Sequence, residues 1–136
     1  MSFETEQDGE TLAHRFFDAI SAGDSALVSS LATTGCVIWH NYDGLDKPFS
    51  QMVPKLAAFR EALAEFVYAE RDYMSLPDGA LALHTLHGVR PDGIGVDVPV
   101  AVRLRCIDGR IHRIEEYVNP AALAPLTGPE KDTSQS

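Results

Sequence analysis

Long apolar runs are missing from this chain. No stretch approaches the roughly 20 consecutive apolar residues that span a bilayer, so no membrane-spanning helix is expected. Basic residues are scarce: 11 lysines and arginines stand against 20 acidic residues, for a net charge of −9 at pH 7. A surface this acidic repels phosphate backbones and anionic lipid, so neither nucleic acid nor a membrane is an expected partner. Cysteine is limited to Cys36 and Cys106, with no CxxC spacing. Both fall in strand-like segments and read as reduced, small core residues, a disulfide being the weaker reading. The opening MSFETEQDGE lacks the basic start and apolar stretch of a secretory signal, so the expected compartment is the cytoplasm. Internal repeats, low-complexity blocks and interdomain linkers are absent as well.

What is present suffices for one core. A chain of 136 residues, 45% hydrophobic, fits a single domain. Leu12, Ala13, Phe16, Phe17 and Ile20 recur at helical spacing, and the AGD at 22–24 ends that helix on a glycine. Asp24 or Ser25 then caps a short helix bearing Leu27, Val28 and Leu31. Residues 36–42 read as a strand, and DGLDKP as a loop. From Phe49 to Phe66 the apolar spacing is again helical, with Pro54 expected in the first turn. Four strands follow, over residues 67–76, 80–89, 96–107 and 111–118, joined by the turns PDG, RPDGIG and DGR. The predicted organisation is a lead-in over 1–9, one domain over 10–126, and a mobile tail over 127–136. Helices, a strand, a helix and then four hairpin-linked strands predict an α+β fold: a cone-shaped, curved antiparallel sheet with three helices in its hollow. That hollow is a natural small-molecule pocket.

The element order, the AGD between the first helices and the closing DGRIHRIEEYVNP resemble the SnoaL-like branch of the nuclear transport factor 2-like fold, over roughly residues 10–123. The resemblance implies the cone fold and, because relatives usually pair through the outer sheet face, a homodimer. It implies no single function, since the superfamily includes isomerases, cyclases, hydrolases and non-catalytic binders. In the ketosteroid isomerase-like branch a tyrosine and a protonated aspartic acid form an oxyanion hole. Those positions fall here on Phe16 and on Ala101 or Val102, and the base position falls near His40. Without its donors that steroid chemistry is rejected. The limonene epoxide hydrolase-like Tyr-x-Asn resembles Trp39-His40-Asn41, and its final Asp-Tyr resembles Glu116-Tyr117. Its Arg-x-Asp falls near Ala82 and His84, so the arginine is missing. Polyketide cyclases of the SnoaL type resemble the chain equally well in outline and work from a pocket acid or histidine.

Three residues are the candidate catalysts. Glu116 shares a strand face with His112, Ile114 and Val118, and a carboxylate held among apolar groups is a candidate base. The competing reading is a solvated face, or a pairing of Glu116 with His112 or an arginine. His84 shares its face with Ala82 and Leu86; it is a candidate proton shuttle or, alternatively, a hydrogen-bonded core residue. His40 is the third. Trp39 and Asn41 share one face of their strand, and His40 takes the other with Ile38. The hydrolase-like comparison turns Asn41 inward and the isomerase-like one turns His40 inward, so both orientations stay open.

The expected pocket lining is Trp39, Asn41, Phe16, Phe59, Val100, Ile114 and Val118. No metal site is expected, because there is no HxH and no helical HExxH, and His84 and His87 would lie on opposite strand faces. The leading expectation is a cofactor-free hydrolase, isomerase or cyclase acting on a small apolar, polyketide- or terpenoid-like molecule. The rival expectations are a binding module without turnover and a partner-binding domain.

Overall fold

The computed structural model describes residues 2–127, with side chains described from residue 9. The expected tail lies outside the described residues from 128 onward. The first helix, α1, spans Ser2–Ala22 and so begins well before the Glu10 start read from the apolar spacing. Gly23, at φ +77°, ends it, and the amides of Gly23 and Asp24 bond back to the carbonyls of Ile20 and Ala19. The Asp24 carboxylate accepts from the Leu27 amide and caps α2, Ser25–Ser30. The AGD therefore works as stop and restart.

Strand β1 spans Ala32–His40, β2 Asp46–Pro48, β3 Glu65–Leu76, β4 Gly79–Val89, β5 Gly95–Ile107 and β6 Arg110–Tyr117. Helix α3, Phe49–Glu61, follows β2, and α4, Pro120–Thr127, follows β6. Two elements differ from expectation. The DGLDKP loop contains the short strand β2, whose pairing with β1 matches Ile38 to Lys47. The fourth helix follows Asn119, whose side chain accepts from the Ala121 amide. Pro54 sits in the second turn of α3, on its exposed side, and not in the first.

The strands form one curved, unclosed sheet in the order β2-β1-β6-β5-β4-β3. Every pairing is antiparallel except β1 with β6, which run parallel. That exception places the first and last long strands side by side. On β5 the expected alternation holds, with Val98, Val100, Val102 and Leu104 buried. Helices α1, α3 and α4 pack on the inner face, against β3 and β4, β1, and β5 respectively. Two glycines permit close backbone approach, one between α1 and β4 and one between β4 and β5. A Cβ on Gly9 would overlap the carbonyl of Gly79, and one on Gly79 would overlap that of Leu104. Cys36 and Cys106 are free; Cys36 is buried and Cys106 half-buried. Burial pushes their thiols up to about 12 and about 11. No described helix is long and apolar enough to cross a membrane.

Candidate active site

A cavity of about 280 Å³ lies between the inner sheet face and the helices. Helical spacing brings Phe16, Phe17 and Ile20 of α1 and Met52, Leu56 and Phe59 of α3 to one wall. Strand alternation brings Ile38, Phe66, Leu86, Val100, Val102, Ile114 and Val118 to the other, and Leu123 of α4 completes it. Four polar side chains line this apolar space: His40, Tyr68, His84 and Glu116. Lys55 and Thr127, both exposed, also border it.

The β1–β6 pairing makes the key contact. His40 lies opposite Glu116 in the register, so both side chains rise from the same face of adjacent strands. His40 Nε2 is 2.9 Å from Glu116 Oε1, with the two side chains 8% and 27% exposed. Tyr42 covers the imidazole, its ring centroid 4.9 Å away. With Nε2–H donating to the carboxylate, His40 Nδ1 is left as a buried lone pair without a partner among the described residues. The histidine thus orients the carboxylate.

His84 is the second polar centre, 5% exposed. Its Nδ1 lies 2.7 Å from the Tyr73 hydroxyl. The edge of Phe17 and the face of Tyr68 enclose it, at centroid distances of 4.7 and 4.4 Å. Burial, helped by the Arg71 charge, lowers its pKa to about 4. Tyr68 borders both centres. Its phenol pKa is driven well above the usual value by burial first and by the Glu116 charge second. Tyr68 also lines the cavity.

The His84 shift sets a sign for acid sensitivity. The unfolded chain takes up this proton near pH 6.5 and the folded chain only near 4. Between those values the unfolded state binds more protons, so stability falls as pH drops through that window, by at most about 3 kcal/mol. Urea titrations at about pH 7 and about pH 4.5 should show wild type losing more stability than His84→Gln. Equal losses would mean that His84 titrates normally.

Phe16, Phe59, Val100, Ile114 and Val118 all line the cavity. Trp39 and Asn41 do not, which corrects the expected pocket wall. Once Ile38 and His40 face inward, alternation turns their neighbours out. Trp39 packs against Tyr117 on the outer face, ring centroids 5.3 Å apart. Asn41 is exposed at the strand end, where its backbone N–H donates to the Glu116 carbonyl at 3.1 Å and its side-chain Oδ1 accepts from the Val118 backbone N–H at 2.9 Å. It ties β1 to β6 behind the His40–Glu116 pair. Asn41→Ala should cost about 1 kcal/mol in urea unfolding and leave cavity binding unchanged; lost binding would return Asn41 to the pocket.

His112 also leaves the inner face. Arg105 pairs with Arg113 and Cys106 with Ile111, so His112 is the extra residue of a bulge. It is exposed, 3.3 Å from the Thr33 hydroxyl, and Glu116 pairs with His40 instead. His87 faces out between Asp97 and Glu65, on the opposite side of β4 from His84. Tyr68 went unnoticed in the sequence, though Phe66 and Tyr68 already stand at strand spacing before the β3 bulge.

Three solved structures are similar to this chain. AclR from Streptomyces galilaeus, described as a candidate hydroxylase, superposes with a TM-score of 0.76 at 16% identity, covering 89% of this chain and 82% of AclR. A candidate polyketide cyclase from Pseudomonas putida KT2440 gives 0.72 at 18% identity, covering 87% and 96%. A nuclear transport factor 2-like protein from Burkholderia xenovorans LB400 gives 0.72 at 15%, covering 90% and 98%. At these identities the likeness is one of fold. A search of curated protein sequences finds no significant match. The SnoaL-like domain model matches residues 13–114, three quarters of the chain. The protein is a member of the SnoaL-like domain family.

Proposed function

We propose that the protein is a cofactor-free acid/base enzyme acting on a small apolar molecule of polyketide- or terpenoid-like character. The observation that carries this reading is the His40–Glu116 pair, 2.9 Å apart in the wall of an apolar cavity. Glu116, held by His40, is the base that takes a proton from substrate carbon or from water. Tyr68 and His84, both neutral at working pH, hold the substrate oxygen as charge develops on it. At about 280 Å³ the cavity falls just below the roughly 300–1,000 Å³ usual for ligand pockets, so the substrate is compact. Hydrolase, isomerase and cyclase chemistry share this division of labour. The polyketide cyclase assignment of the Pseudomonas putida relative agrees with that substrate class.

The test is native mass spectrometry of freshly purified protein with epoxides, steroids and polyketide-like phenols, followed by turnover assays on whatever binds. Binding with turnover supports the proposal. Binding without turnover replaces it with a ligand-binding module, and no binding across the panel moves the function to a partner surface.

We further propose a homodimer through the outer sheet face, where Leu83, Val67 and Tyr117 are 36%, 45% and 49% exposed. Trp39 packs edge-to-face with Tyr117 at that face. Its emission should therefore change on dilution through dimer dissociation and stay constant on filling the cavity. A monomer by sedimentation equilibrium at all concentrations contradicts the dimer.

A further inference from the structure

We infer that Asp18, Arg71 and Tyr73 hold His84 as its Nε2–H tautomer, which makes it a neutral hydrogen-bond donor to the cavity and not a base. A guanidinium only donates. Arg71 gives Nη2–H to Asp18 Oδ1 at 2.7 Å and Nε–H to the Tyr73 hydroxyl oxygen at 3.2 Å. That oxygen is therefore an acceptor, and its own proton needs a destination. Among the described residues the one acceptor it reaches is His84 Nδ1, at 2.7 Å. If Nδ1 carried the proton instead, the Tyr73 hydroxyl would be a buried donor with nothing to receive it, since Tyr73 is 6% exposed. A stranded buried donor is disfavoured. With Nδ1 accepting, the ring proton sits on Nε2, and the Tyr73 contact through Nδ1 is the one side-chain hydrogen bond His84 makes among the described residues. His84 lines the cavity, so this proton is available to a ligand.

The backbone is bent to build this chain. The β3–β4 register shifts between Ala69 and Asp72, and Glu70 adopts φ +54°, a costly value for a residue with a side chain. Phe66 and Tyr68 face inward ahead of the bulge, and strict alternation would turn Tyr73 outward. The extra residue reverses the parity and delivers Tyr73 to His84. Thr85 donates to the Glu70 carboxylate at 2.9 Å and anchors the bulge on the other face. Arg71, its guanidinium carbon 5.1 Å from the Tyr73 ring centroid, lies along the phenol it orients. Asp18, Arg71 and Tyr73 are thus positioning residues for the donor that Tyr68 accompanies.

What the donor acts on rests on the acid/base reading above; the tautomer does not. The experiment is long-range proton–nitrogen NMR of the five histidines, labelled with nitrogen-15, in the whole protein near pH 7, with His84→Gln assigning the His84 signals. The expected wild-type pattern is a single Nε2–H tautomer with Nδ1 as acceptor. Tyr73→Phe, which keeps the ring, should lose that single pattern to a tautomer mixture. Arg71→Met should move in the same direction, and it serves if Tyr73→Phe does not fold. An Nδ1–H tautomer or an imidazolium in the wild type overturns the inference. So does an unchanged His84 pattern in the variants. Because the spectra need no ligand, failure of the substrate panel leaves this result standing, and the reverse holds too.

Discussion

Replacing Glu116 by glutamine is expected to lower turnover of any substrate found by about 10²- to 10⁴-fold, the usual worth of a general base, with little change in its binding. The substitution is nearly isosteric. The amide oxygen still accepts from His40 Nε2, so the 2.9 Å contact and the cavity shape survive. Only the basic lone pair is lost. The measurement is kcat and the dissociation constant for wild type and Glu116→Gln on the same ligand. A kcat within a few-fold of wild type would remove Glu116 from the chemistry. A loss of affinity with kcat intact would recast the carboxylate as a binding group.

The largest stability effect is expected at Phe16. It is 2% exposed and packs edge-on against Phe17 at 5.1 Å and obliquely against Phe49 at 5.8 Å. It is thus the joint between α1 and the start of α3 as well as a piece of cavity wall. Phe16→Ala should cost about 3–5 kcal/mol. Against a total stability of roughly 5–15 kcal/mol, that is a large share. The thermal midpoint should fall by roughly 10 °C or more. Existing empty space beside the ring places the cost toward the lower end, because part of its surface already lacks contacts. Denaturant unfolding of the two proteins decides; a loss under about 1 kcal/mol would mean that α1 is not seated on the sheet as described.

How far the site could be read in advance differs from residue to residue. Local periodicity was enough for Phe16 and Phe59, because helical spacing alone selects the buried stripe. It was enough for His84, since Ala82 and Leu86 on the same strand face carry it inward with them. For Glu116 the alternation left an inner and a solvated face open, and the burial of Ile114 and Val118 is what turns it inward. The pairing of His40 with Glu116 did not follow, because it depends on β1 lying parallel to β6 across more than 70 residues of chain. Nothing local specifies such a partner. Trp39 and His40 differ by one position, and a one-residue slip exchanges the two faces of a strand. His112 and Tyr73 were hidden for the opposite reason: each lies at or just beyond a bulge that breaks the alternation from which faces are read.

By itself the sequence determined the elements, most of their buried faces, the acidic surface and the likeness to SnoaL-like proteins. These depend on periods of two and 3.6 residues and on composition, which are properties of neighbours along the chain. Only the tertiary structure decided the site. The parallel β1–β6 register set His40 against Glu116, and the bulge at Glu70 turned Tyr73 toward His84. Both arise from pairing between strands distant in sequence, where backbone hydrogen bonds and the shared core settle the register and side-chain period alone does not.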